Sequence, residues 1–158
     1  MKYADRTNFM KVSEIRELLK LTEDPEIISF GGGMPSPHSF PVKIVEKITK
    51  KVLERHGPQA LQYGPTEGIT PLRETLIKRM EKTRKIKCNL DQIIITTGSQ
   101  QVLDLTSKIL INPGDYIVVE CPTYIGALSA FNAYQPNYIP IQMDENGMKT
   151  YELEEKIK

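Results

Sequence analysis

The chain has 158 residues, room for one domain or for part of a larger one. Its 21 basic and 20 acidic side chains nearly cancel, and no basic run is long enough to act as a nucleic-acid arm. Neither nucleic acid nor an anionic membrane is therefore favoured as a partner.

The N-terminus, Met-Lys-Tyr-Ala-Asp-Arg, is polar and lacks the apolar stretch of a secretory signal. No later run approaches membrane-spanning length, so a cytoplasmic protein is expected. Cys88 and Cys121 form no CxxC pair and stand far from both histidines, which points to reduced thiols rather than a metal site. His38 and His56 have no evident partner nearby and read as loop histidines.

In chain order, Val12, Ile15, Leu18 and Leu19 follow helical spacing, and Asp24-Pro25 ends that helix. Ile27, Ile28 and Phe30 make a short extended piece that enters the irregular Gly31-Gly32-Gly33-Met34-Pro35. A helix is expected from about Pro41 to Arg55, with Val45, Ile48 and Val52 as its buried stripe and His56-Gly57-Pro58 as its break. A loop over 63–68 leads to Thr70-Pro71, a cap followed by an N1 proline. The helix that follows carries Leu72, Leu76 and Met80 on one face.

From Asp91 the pattern changes. Ile93-Ile94-Ile95-Thr96-Thr97 is apolar and β-branched, as in a strand buried on both faces. Gly98 turns the chain, and a helix runs from Ser99 to about Leu110. Asn112-Pro113-Gly114-Asp115 is a turn. Strands are expected at 116–119 and 138–141, with a helix between them at 123–133. Asn146-Gly147 is a turn, and a helix begins at Tyr151. Alternating strands and helices indicate an α/β fold with a mostly parallel sheet and flanking helices, preceded by a helical N-terminal segment. Residues 1–57 form that first segment and 58–158 the first part of a larger domain. The last helix shows no C-cap, so the domain is expected to be incomplete.

Two turns carry candidate chemistry. At Thr97-Gly98-Ser99-Gln100-Gln101 a strand ends and a helix starts. Free N–H groups and the positive end of the helix dipole suit such a place to phosphate. An ordinary βα turn capped by Ser99 is the alternative, and the segment is neither a GxGxxG fingerprint nor a Walker loop. Glu120-Cys121-Pro122-Thr123-Tyr124 closes the next strand. In a parallel sheet the strand C-termini share one edge, where ligands bind. Tyr124 either stacks there on a flat cofactor or serves as an ordinary core or surface aromatic.

Four segments in order, Ser29-Phe30-Gly31-Gly32-Gly33-Met34-Pro35, Leu61-Gln62-Tyr63-Gly64-Pro65-Thr66-Glu67-Gly68-Ile69-Thr70-Pro71-Leu72-Arg73, Thr97-Gly98-Ser99-Gln100-Gln101 and Glu120-Cys121-Pro122-Thr123-Tyr124, resemble the class I/II aminotransferases. The likeness is greatest to the branch with multi-substrate, 2-aminoadipate and kynurenine aminotransferases. It implies fold type I, the PLP-dependent transferase-like large domain, with pyridoxal 5'-phosphate (PLP) as cofactor. An amino acid and a 2-oxo acid such as 2-oxoglutarate would be substrates, and a homodimer the assembly.

By position, Gly98, Ser99 and Gln100 resemble the loop that holds the PLP phosphate. Tyr124 resembles the aromatic that stacks on the pyridine ring, and Gly33 the glycine that lines the substrate carboxylate pocket. Tyr63 matches the tyrosine that reaches across a dimer to the other subunit's cofactor phosphate. Cys121, between the acidic residue and the proline, is a small departure. From the residues alone, Gly33 also fits a flexible loop, Tyr63 a ring packed beside Pro65, and Arg73 a structural role on its helix.

The family's Schiff-base lysine, which moves the proton between substrate carbon and cofactor, belongs to a Ser-x-x-Lys type of motif that these residues do not contain. The chain alone is thus expected to be inactive. Lys108 is no substitute. It follows Ser99 by nine residues, roughly 13–14 Å along a helix, and a surface ion pair with Asp104 is expected instead. In the family's strand order the first strand is not a neighbour of the second and third, so Ile93–Ile95 would show edges and faces that are normally covered. A non-catalytic PLP-binding or dimer-interaction remnant and a fragment of a related PLP-dependent lyase remain the other readings of the same segments.

Overall fold

The computed structural model describes residues 2–10, 26–28, 30 and 33–158. The helix expected from Val12 to Leu21 lies outside them, as do Ser29, Gly31 and Gly32. The chain forms two compact units: Phe30–Thr96, and Thr97–Lys158 with the described residues before Ser29.

In the unit Phe30–Thr96, helix α1 spans Val42–Ala60 and bends at His56, whose φ of −136° is not helical, just ahead of Pro58. The break therefore falls where the proline removes a backbone donor and crowds the preceding turn. The expected buried stripe is not buried. Val45 and Ile48 are each 55% exposed, because no described element covers that face.

Helix α2 spans Thr70–Arg84 with Ile69 as its N-cap, so Thr70 is its first residue rather than its cap and Pro71 its second, still within the turn whose N–H groups lack helical partners. Its C-cap, Lys85, takes the left-handed conformation, and the N–H groups of Lys85 and Ile86 return to the carbonyls of Glu81 and Met80. Leu76 and Met80 are half-buried and Leu72 is exposed. Arg73 on the same helix is buried. Its Nε donates to the Ile93 carbonyl at 3.1 Å and its Nη2 to the Leu90 carbonyl. Arg73 thus has the structural role expected of it, tying α2 to the 90–93 segment.

The strand expected at residues 93–97 does not form. Among the described residues they pair with no ladder. Ile93 is extended, and the N–H of Ile95 donates to the Glu67 carbonyl at 2.9 Å. The composition favours a strand, but a strand also needs a neighbour, and no described segment pairs with this one. Ile94 is accordingly 54% exposed. Gly68 makes the contact with Ile95 feasible. Its φ is +100°, and a Cβ there would lie 2.3 Å from Ile95 Cγ1.

In the other unit, helix α3 spans Ser99–Leu110, strand β1 Tyr116–Cys121 and helix α4 Ile125–Phe131. Strand β2 spans Asn137–Asp144, strand β3 Gly147–Met148 and helix α5 Thr150–Lys156. The sheet order is β1-β2-β3. β1 and β2 are parallel, in register from Tyr116 opposite Asn137 to Cys121 opposite Gln142. β2 and β3 are antiparallel, an addition to the expected parallel sheet that follows from the tight turn at Glu145-Asn146. Along β1, Ile117, Val119 and Cys121 are half-buried while Tyr116, Val118 and Glu120 are exposed, the alternation of a strand covered on one face. Ile141, Ser107 and Ala130 are the buried centre.

Asp104 does not pair with Lys108. Its Oδ1 accepts from the Tyr134 hydroxyl at 3.0 Å, so the carboxylate is engaged by a residue far along the chain.

Two side chains tie α5 to the sheet, one of them Lys156, whose Nζ donates to the Pro140 carbonyl at 2.7 Å. Glu152 meets Lys156 Nζ at 2.7 Å and accepts the Gln142 N–H at 3.1 Å. The Lys156 contact, then the Gln142 N–H, hold its carboxyl below the ordinary value of 4.5. A depressed folded value means that this contribution is present above the unfolded value and is lost as pH falls through the folded one. Carbon-13 titration of the glutamate carboxyls should place Glu152 below 4.5, and Lys156→Ala should raise it. A midpoint unmoved by Lys156→Ala would refute the assignment.

Candidate functional site

The first turn of α3 and the first turn of α4 lie side by side in one unit. Gly98 is the N-cap of α3, with φ +84°, and a Cβ on it would point into open space. Ser99 is therefore the first helical residue and not the cap, which removes the reading of a serine-capped turn. Ser99 Oγ has no hydrogen-bond partner among the described residues. It sits at the positive end of the helix with a hydroxyl to donate.

The two glutamines after it do separate work. Gln101 Oε1 accepts from both the N–H (2.6 Å) and the hydroxyl (3.0 Å) of Thr97, which folds the entering chain onto the helix start. Gln100 Nε2 donates to the carbonyl of Gly126 at 3.1 Å and so reaches the start of α4. Tyr124 is the N-cap of that helix, in extended conformation, and is 61% exposed. The Gln100–Gly126 hydrogen bond thus joins the two helix starts that carry Ser99 and Tyr124. The shared edge of two ladder strands, expected from sequence, is not what joins them, because residues 93–96 form no ladder.

The donor set suits a phosphorylated, flat, aromatic ligand. A helix start with an uncommitted serine hydroxyl and an unobstructed glycine accepts a phosphate, and an exposed ring beside it offers a stacking face. Sequence alone does not single out Gln101 or Gly126. Gln101 carries a signal, since a glutamine in the first turn of a helix often reaches back to the entering backbone. Gly126 carries none.

The remaining candidates lie in the unit Phe30–Thr96. Tyr63 is 97% exposed, so it does not pack beside Pro65, and its N–H donates to Gln62 Oε1 at 2.8 Å. Gly33 has open space around it and no left-handed φ. His38 and His56 are exposed. Cys88 and Cys121 are free thiols. Among the described residues no group of three or more His, Cys, Asp or Glu is placed to hold a metal ion, and no helix is long and apolar enough to cross a membrane.

The family described as Aminotransferase class I and II matches residues 26–158, most of the chain. The chain belongs to the class I and II aminotransferases. It is 51% identical to aromatic-amino-acid aminotransferase 1 of Thermococcus litoralis, over 99% of this chain and 37% of that protein. It is 40% identical to the 2-aminoadipate transaminase of Thermus thermophilus, over 94% of this chain and 36% of the relative. The structure superposes on kynurenine aminotransferase of Pyrococcus horikoshii with a TM-score of 0.88 at 50% identity, covering 98% of this chain and 38% of that one. This aminotransferase chain therefore spans a little over a third of the length of these relatives, and its fold is that of a fold type I aminotransferase in part.

Proposed function

We propose that these residues supply the phosphate-binding and ring-stacking part of the PLP site in an enzyme that moves an amino group from an amino acid to a 2-oxo acid such as 2-oxoglutarate. The observation that carries the proposal is the juxtaposition of Ser99 and Tyr124 through Gln100 and Gly126, in a chain of this family. Gly98, Ser99 and Gln100 hold the phosphate with backbone N–H groups and the serine hydroxyl, and Tyr124 covers one face of the pyridine ring. PLP, when bound, supplies the electron sink that lets an amino acid lose its α-proton. Gly33 lines the pocket for the substrate carboxylate, and Tyr63 reaches the phosphate of a second subunit in a cytoplasmic homodimer. The near-complete exposure of Tyr63 suits a side chain whose partner belongs to another molecule.

The test is amino exchange. The protein expressed from its full reading frame is incubated with PLP, 2-oxoglutarate and aromatic amino acids, 2-aminoadipate or kynurenine. Glutamate formation above the protein-free PLP background is expected with at least one donor. Its absence from a folded, PLP-loaded protein rejects the proposal in favour of a non-catalytic PLP-binding protein. The 158 residues alone should give none, because the family's Schiff-base lysine has no counterpart among them. Turnover by that chain would overturn this part.

A further inference from the structure

Gly126 lacks the usual reasons for being glycine. Its backbone is not in the left-handed region, and it lies in the first turn of α4, where alanine would favour the helix more. What it has is a neighbour. A Cβ on Gly126 would lie 2.5 Å from Tyr124 Cζ, 2.6 Å from Tyr124 Oη and 2.7 Å from Tyr124 Cε1. These are the atoms of a planar ring, which cannot yield at one point and must swing as a body. Gly126 also presents its carbonyl to Gln100 Nε2 at 3.1 Å, so the residue beneath the ring is the same one that α3 holds.

We propose that Gly126 and the Gln100 side chain are positioning residues for the cofactor. The bare Cα of Gly126 lets the Tyr124 ring fold against the start of α4, and Gln100 fixes that turn to the phosphate-binding turn. Ring and phosphate cradle are then held at one spacing. This rests on the PLP site proposed above and adds residues that touch neither the phosphate nor the reacting atoms with their side chains.

The experiment uses the protein expressed from its full reading frame and pyridoxamine 5'-phosphate, which has no aldehyde to react with surface lysines. Binding is followed by fluorescence, and the setting of the ring by the circular dichroism of the bound cofactor. Gly126→Ala should weaken binding by roughly three- to tenfold, the worth of one aromatic contact, and should change the dichroism of the bound cofactor. Gln100→Met, which keeps the backbone N–H and removes the amide donor, should change the dichroism in the same sense. In a Tyr124→Ala background Gly126→Ala should have no further effect, because the ring it displaces is gone.

Equal losses in both backgrounds, or unchanged affinity and dichroism in Gly126→Ala, overturn the proposal. If Gly126→Ala fails to fold while the double variant Tyr124→Ala/Gly126→Ala folds, the clash with the ring is established by that contrast. If both fail to fold, Gly126 serves the backbone and the proposal is wrong. The site assignment fails separately: should Ser99→Ala and Tyr124→Ala both bind as the unsubstituted protein does, or should that protein not bind, the PLP site falls and this inference with it.

Discussion

Replacing Arg73 by alanine is expected to destabilise the unit Phe30–Thr96 by about 2–4 kcal/mol, read as a lower urea midpoint at unchanged slope. The guanidinium is buried and donates to two backbone carbonyls, Ile93 and Leu90, in a segment that forms no strand. Residues 93–96 have no ladder, and the N–H of Ile95 to Glu67 is a further backbone tie. Alanine leaves two acceptors without their donor, each at the lower part of about 1–3 kcal/mol because both are only partly buried, and removes the aliphatic stem that fills the space beside α2. Lysine should recover less than half of the loss, because a single ammonium cannot reproduce a fork aimed at two carbonyls. An Arg73→Ala midpoint equal to that of the unsubstituted protein would show that the contact is ornamental. Transfer of the amino group is a poor reporter of this loss, which acts through folding.

The same segment shows where sequence reasoning stops. Ile93-Ile94-Ile95 has the composition of a buried strand, and composition is local, whereas pairing depends on which strands stand beside it. Local signals served well elsewhere. Pro58 bends α1 at His56, Pro71 opens α2, and Gly98 places the start of α3 at Ser99, because each acts on its own turn of backbone. Side chains that reach across the fold were not legible. Helical spacing pairs Asp104 with Lys108 one turn away, yet Asp104 meets Tyr134, thirty residues on. Gln100 finds Gly126, twenty-six residues on, for the same reason: a helix face chooses its partner only after packing. The two-residue strand β3 escaped because two residues have no period. Of the candidate site, Ser99 and Tyr124 stood out through their places at element ends. The residues that join them did not.

Ser99→Ala is expected to weaken PLP binding by roughly tenfold or more. The hydroxyl sits in the first turn of α3 and has no partner among the described residues, so none of them competes for it. A hydrogen bond to a charged group contributes on the order of 1.5–3 kcal/mol, and each tenfold in affinity is about 1.4 kcal/mol. Alanine keeps the helix start and its N–H groups, so the loss is confined to one bond. Tyr124→Ala should weaken binding through the ring alone and leave phosphate recognition intact, so that inorganic phosphate still competes with PLP as before. Lys108→Ala should do neither. Lys108 lies nine residues beyond Ser99, roughly 13–14 Å along the helix, in a hollow lined by Asp5, Arg6, Pro113 and Tyr134. The three variants, titrated side by side in the protein expressed from its full reading frame, separate the two ends of α3. If Lys108→Ala impairs binding while Ser99→Ala and Tyr124→Ala do not, the cofactor belongs at the opposite end of the helix, and the proposed roles of Gly98, Ser99, Gln100 and Tyr124 are wrong. If only Tyr124→Ala has an effect, stacking holds the cofactor and the phosphate is bound elsewhere. The expected order, Ser99 and Tyr124 impaired and Lys108 untouched, requires the positive end of α3 and the exposed ring beside it to act on one ligand.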